Sequence, residues 1–186
     1  MAYINNKDLV LSELSVVLDS VSKKEVDQLV EMICSADRVF VVGVGRVLLM
    51  LQALVKRLNH LGIDANYVGA VNEEAICDKD LLIVGSGSGE SIVPLAIVKK
   101  ASQFKAKIAH IGSNKNSSMH EYEDLFVRIP CRTKLNLDDE INSKQVMSSL
   151  FEQSLLLLSD IVALEIVEKK NIKDIKSLWR KHANLE

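Results

Sequence analysis

The chain has 186 residues, 48% of them hydrophobic, and its 23 Lys and Arg against 25 Asp and Glu leave a net charge of −2. That length suits one α/β domain, the apolar content supports a packed core and excludes a disordered tail, and the near-neutral charge gives no electrostatic footprint for nucleic acid or anionic membrane. The apolar stretches are broken well short of the ~18 residues a membrane span needs, Met1 to Asp8 lack a signal-peptide pattern, and three scattered cysteines (Cys34, Cys77, Cys131) suggest neither a disulfide framework nor a zinc site, so a cytoplasmic protein is expected.

In chain order, Val10, Leu14, Val17, Leu18 and Val21 recur at helical spacing, and Ser22 with Glu25 forms a Ser-x-x-Glu capping box for a second helix carrying Val26, Leu29, Val30 and Ile33. Residues 38–42, Arg-Val-Phe-Val-Val, read as a first strand ending at Gly43-Val44-Gly45, followed by a helix from Arg46 to Leu61. Further strands are predicted at 65–68, 81–84, 107–111 and 125–129, with a helix running to about Ser102 after the third. A long helix is expected from Met147 to Lys169 and a last one from Lys173 to Lys181. Short apolar strands alternating with helices predict a five-stranded parallel sheet in a doubly wound, flavodoxin-like three-layer α/β/α sandwich, with ligands bound beyond the carboxyl ends of the strands. The helix from Arg46 and the long helix with its run Leu155 to Leu158 are apolar nearly all round. Such helices pack on their own sheet and on something else, and a homo-oligomer is the expected reason.

Two glycine-rich loops fall on the same rim of the sheet. The denser, Gly85-Ser86-Gly87-Ser88-Gly89-Glu90-Ser91, lies between a buried strand and a helix N-terminus. Glycines allow the backbone to turn tightly and approach a ligand, the helix start adds free N–H donors and partial positive charge, and three serines add hydroxyls. A phosphate monoester fits this set. A Walker loop does not, because Glu90-Ser91 stand where its lysine should be; a dinucleotide fingerprint does not, because Leu48 replaces its third glycine and no acid ends the second strand.

This loop resembles that of the sugar isomerase (SIS) domain family. Within it the chain is most similar to the 6-phospho-3-hexuloisomerase family, through Gly43-Val44-Gly45-Arg46, Arg57-Leu58-Asn59-His60-Leu61-Gly62, Ser149-Leu150-Phe151-Glu152-Gln153 and the tail His182-Ala183-Asn184-Leu185-Glu186. The resemblance implies one SIS domain over residues 1–186, with N-terminal helices within 5–36 and C-terminal helices within 147–182 packed on it. It also implies a cytoplasmic homotetramer without metal or cofactor, interconverting D-arabino-3-hexulose 6-phosphate and fructose 6-phosphate in formaldehyde fixation through ribulose monophosphate. Glu152 is then the base and His60 a second acid/base or hydroxyl contact, from the same or a neighbouring subunit. Arg46, Val47, Ser86, Gly87, Ser88, Gly89, Glu90 and Ser91 line the substrate and phosphate site, and His182 completes a site or interface. Taken alone, His60 reads as a packed histidine, Glu152 as a solvated helix-start carboxylate, Glu90 as a helix cap, and His110 and His120 as structural or exposed. The chain departs from the family at Val47-Leu48, where Ser-Gly is usual, at Ala70 to Glu74 and at Val146-Met147-Ser148. Loss of the serine removes a hydrogen bond to ligand and leaves two alternatives open: a different phosphosugar, or a sensor that binds one without turnover.

Overall fold

A computed structural model of the chain describes residues 1–185, so Glu186, the end of the tail motif, lies outside the described residues. Two helices, α1 (Ala2–Asp19) and α2 (Lys23–Ser35), precede the sheet. Ser22 caps α2 by accepting the Glu25 N–H at 3.4 Å, as the capping box predicts. The Glu25 carboxylate turns elsewhere and accepts the backbone N–H of Arg128 at 2.9 Å, tying α2 to the far edge of the sheet.

The strands are β1 (Val39–Val42), β2 (Ala65–Tyr67), β3 (Leu81–Gly85), β4 (Lys107–Gly112) and β5 (Leu125–Arg128), all parallel, in the order β2-β1-β3-β4-β5. The sequence reads them as unbroken apolar runs because both faces are covered. Val39, Val41, Leu81, Ile83, Ala109 and Ile111 face a core shared with α1, α2, α3 (Arg46–His60) and α5 (Ser149–Lys169). Phe40, Val42, Leu82, Val84 and Ile108 face a smaller core closed by α4 (Ile92–Gln103) and Met119 of the 3₁₀ turn Ser118–Glu121. No helix among the described residues is long and apolar enough to cross a membrane.

Several expectations change in detail. The second face of α3, read as a sign of another subunit, is covered within the chain by α5, with Arg57 and Asp160 paired at 3.5 Å across the two helices. Helix α5 starts two residues later than expected because Met147 takes a positive φ of 55°, which a right-handed helix cannot accept. The helix expected from Lys173 is a 3₁₀ turn over Ile175–Lys181: Asp174 accepts the Lys176 N–H at 3.0 Å, a local bond that competes with α-helical pairing.

Two carboxylates fix the ends of the sandwich. Asp80, 1% exposed, takes both Arg38 Nε (3.1 Å) and Nη2 (3.0 Å) and the Cys77 N–H (2.8 Å), holding the amino ends of β1 and β3 together. Donating hydrogen bonds to Asp80 raises the pKa of the Arg38 guanidinium against the pull of burial. Residues 129–148 form a strap between β5 and α5, anchored on α1 by Glu13, whose carboxylate accepts from Ser143 Oγ (2.7 Å), Lys144 N (2.8 Å) and Gln145 Nε2 (3.0 Å). Burial alone would raise the Glu13 pKa; these bonds outweigh it and the net shift is downward.

Replacing Arg38 by Met leaves Asp80 buried with one donor, and unpairing a buried charge typically costs about 3–5 kcal/mol, read as a lower urea midpoint at unchanged slope. A depressed carboxyl pKa contributes stability above its unfolded value that is lost as pH falls through the folded one. The melting-temperature gap between wild type and Glu13→Gln is therefore widest above pH 4.5 and closes as the pH falls further below it.

Candidate active site

β3 keeps its register to the last residue, Gly85 opposite Ile111, and the Ser86 N–H extends the ladder to the Ile111 carbonyl at 3.0 Å. The loop that follows is pinned from below. The Gly87 carbonyl accepts from Ser113 N (2.9 Å) and Asn114 N (3.1 Å), and the Ser88 carbonyl from Asn114 Nδ2 (3.1 Å). The Ser86 carbonyl meets Nε2 of the fully buried His110 at 3.0 Å, whose Nδ1 meets Glu123 at 2.9 Å. Ser86 Oγ accepts the Gly89 N–H (3.1 Å) and donates to Ser91 Oγ (3.2 Å), while Ser88 Oγ accepts the Glu90 N–H (3.3 Å). The N–H groups of Gly87, Ser88, Ser91, Ile92 and Val93 find no acceptor among the described residues, the last two because they open α4. The serines therefore shape the loop, and a fan of backbone amides at a helix start is left to receive an anion.

The second glycine loop delivers Arg46 as the first residue of α3, and Arg46 Nε meets Glu152 Oε2 at 2.6 Å. Glu152 stands in the first turn of α5 with its side chain only 13% exposed. The chain neighbours of both partners, Val47 and Phe151, meet the glycine-serine loop. A side chain at Gly85 would come within 2.7 Å of Val47 Cγ1, so Val47 is seated on the end of β3; a Cβ at Gly87 would lie 3.7 Å from the ring of Phe151, the neighbour of Glu152. Val47, expected where the family serine binds ligand, thus packs its methyl into the seam between Gly43 and Gly85.

Not every candidate converges here. Glu90 caps a helix, though not its own: its carboxylate accepts the Ser118 N–H (2.7 Å) and Oγ–H (2.9 Å), holding the 3₁₀ turn against the loop. His60 closes the opposite end of α3, about 21 Å from Arg46 at 1.5 Å rise per residue, so the two do not share a site within one subunit. There its ring stacks on His182 at 5.4 Å between centroids, with Trp179 beside His182 at 5.1 Å. Nε2 of His60 is buried without a hydrogen-bond partner among the described residues. Burial, then Lys56, Arg57 and His182, lowers its pKa. Among the described residues no three His, Cys, Asp or Glu side chains cluster as a metal-ligand set. His110, read as structural or exposed, is a fully buried structural residue, while its partners in the supporting shell, Asn114 and Glu123, escaped the sequence reading.

No protein-family model matches the chain. It is 37% identical over 177 residues to a Bacillus subtilis protein named 3-hexulose-6-phosphate isomerase, covering 95% of each chain, and 34% identical over 182 residues to one of the same name from Mycobacterium gastri, covering 98% of this chain and 90% of the other. A crystal structure from Methanococcus jannaschii, described as inferring a 3-hexulose-6-phosphate isomerase function, superposes with a TM-score of 0.84 at 27% identity over 98% of this chain and 99% of the other. The chain belongs to the 3-hexulose-6-phosphate isomerase family of SIS-fold proteins.

Proposed function

We propose that this protein is a cofactor-independent isomerase that interconverts D-arabino-3-hexulose 6-phosphate and fructose 6-phosphate. The observation that carries the reading is the Arg46–Glu152 pair at the border of a loop rich in unpaired amides: an anion cradle, a cation and a carboxylate within one rim. The phosphate docks on the Gly87, Ser88 and α4 amides, and its binding energy orients the reacting carbons. Glu152 takes the proton from C2, beside the C3 ketone, and the electron pair forms a 2,3-enediolate. The proton on O2 passes to O3, and return of the carbon-bound proton to C3 leaves the ketone at C2. Atoms and charge balance with no external acceptor.

In the resting molecule one Glu152 oxygen is occupied by Arg46. Substrate offers Arg46 a competing anion, the developing enediolate oxygen, so the guanidinium that holds the base at rest stabilises the intermediate once the base has acted. The product would serve the fixation of formaldehyde into sugar phosphate, and three free thiols fit a reducing compartment such as the cytoplasm.

The assembly we propose is a homo-oligomer, a tetramer by likeness to the family. Leu157, Ile161 and Leu164 line one side of α5 at helical spacing, 37%, 39% and 61% exposed, and Ile175 and Trp179 lie open on the C-terminal turn. A second copy is also the route by which His60 reaches a Glu152.

Glu152→Gln is expected to lower kcat by about 10²–10⁴-fold, the usual worth of a positioned base, with KM little changed, in a coupled assay of fructose 6-phosphate formation; full activity removes Glu152 from the mechanism. If His60 serves a neighbour's site, Glu152→Gln and His60→Asn subunits, each inactive alone, regain activity when unfolded and refolded together. Full activity of His60→Asn alone places His60 outside the reaction, and failure of the mixed oligomer to recover, while sedimentation shows it has formed, overturns the shared site.

A further inference from the structure

The strap after β5 carries a buried acid that the reaction above does not use. Glu140 is 7% exposed, and its carboxylate is consumed by its own loop: Oε2 accepts the N–H of Thr133 (3.0 Å) and of Leu137 (3.0 Å), and Oε1 accepts the Thr133 hydroxyl (2.8 Å). Thr133 Oγ1 in turn accepts the Leu135 N–H at 3.2 Å. Residues 133–140 are thereby knotted around one carboxylate, and the knot is sewn to the body by Ile141 N to Pro130 O (2.7 Å) and Arg132 N to Ile141 O (3.0 Å).

The hydroxyl of Thr133 is used up inside the knot; its methyl is not. Thr133 Cγ2 lies 3.1 Å from where a side chain at Gly87 would begin, with the Phe151 ring 3.7 Å away on the same position. Thr133 itself is 9% exposed. The methyl occupies the volume that residue 87 lacks, above a peptide whose carbonyl is already fixed by Ser113 and Asn114. With the carbonyl held on one side and the Cα covered on the other, the Gly87–Ser88 amides have one orientation.

We infer that Thr133, locked by Glu140, is a positioning residue for the anion-binding loop: its methyl bears on Gly87 and sets the aim of the Gly87 and Ser88 amides at the phosphate. This rests on the reading of residues 85–91 as the phosphate cradle. It assigns a part to the strap, and it accounts for a buried carboxylate that has no ion pair among the described residues.

Three variants separate the role from mere stability. Thr133→Ser keeps the hydroxyl for Glu140 and Leu135 and deletes only the methyl; Thr133→Val does the reverse; Glu140→Gln turns an amide toward N–H donors and loosens the knot. The readouts are KM, kcat, competitive inhibition by inorganic phosphate, and melting temperature. In Thr133→Ser, KM and the phosphate inhibition constant are expected to rise together by about tenfold, with kcat and melting temperature near wild type, because loss of aim in a preorganised site weakens binding of the handle. Glu140→Gln should move both constants the same way and also melt earlier, while Thr133→Val should retain more phosphate affinity than Thr133→Ser. Wild-type KM and phosphate constants in Thr133→Ser overturn the role, as does a fall in melting temperature alone. Wild-type enzyme insensitive to inorganic phosphate, together with an unchanged KM in Ser88→Ala, overturns the cradle reading and this role with it. Phosphate inhibition retained in wild type but unmoved in Thr133→Ser overturns the role only.

Discussion

β1 runs into Gly43 and β3 ends at Gly85, and because neither carries a side chain, α3 can lie directly on the carboxyl edge of the sheet. Val47 and Leu51 fill the space a Cβ would take: at Gly85 they would stand 2.7 and 2.9 Å from it, inside the closest approach real side chains allow. The rest of the site follows from that contact. Seating Val47 sets the first turn of α3, the first turn aims Arg46, and Arg46 reaches across to Glu152 on α5. Helix α5 can be there because it packs along the outer side of α3, through Leu155, Leu158 and Val162 of the larger core. This is also the position where sheet order reverses, with β2 to one side of β1 and β4 beyond β3, so the loops splay apart and leave a crevice.

The anion cradle is built before a ligand arrives. Serine hydroxyls are usually counted as ligand donors in such a loop, yet they also brace the turn: Ser86 Oγ accepts the Gly89 N–H and donates to Ser91, and Ser88 Oγ accepts the Glu90 N–H. Carbonyls that would repel a phosphate are turned down and capped by Ser113, Asn114 and His110, and Glu90 is drawn off to the turn at Ser118. What is left facing outward is the set of amides. Dipoles fixed by such a network need little reorganisation to receive the phosphate proposed above.

Much of this was legible in the sequence, and the parts that were not share a physical cause. The strands were visible as apolar runs, the Ser22 cap as a motif, and the turn at residues 85–91 as a density of small residues between strand and helix. Legibility failed where a side chain's partner lies far along the chain. Glu25 looks like the second half of a capping box and instead bonds Arg128; Glu90 looks like a cap for α4 and bonds Ser118; Val47 looks like a lost ligand contact and is a packing residue against Gly85. The all-round apolar α3 correctly signalled a second packing partner, but that partner is α5 of the same chain. The strap carried no periodicity at all, since its order comes from Glu13 and Glu140 accepting backbone N–H groups, a pattern no hydrophobic spacing records.

A phosphate cradle on this fold does not by itself distinguish an enzyme from a sensor, because both need to hold the sugar by its phosphate. The distinction lies at Glu152. A binder has no use for a carboxylate 13% exposed beside an anion site, where it opposes the very ligand the loop attracts, unless a cation neutralises it. Arg46 does so at rest, and a permanently neutralised pair would then be the sensor's answer. Yet Arg46 is 58% exposed and joined to Glu152 through Nε, and a guanidinium carries further N–H donors on its other edges. A guanidinium held by one edge can accept a second anionic oxygen as substrate charge develops. Carboxylate, guanidinium and developing oxyanion can then exchange partners within one hydrogen-bond length. That exchange is useful only where a proton moves, and it is what makes the isomerase reading the one this geometry favours over passive recognition.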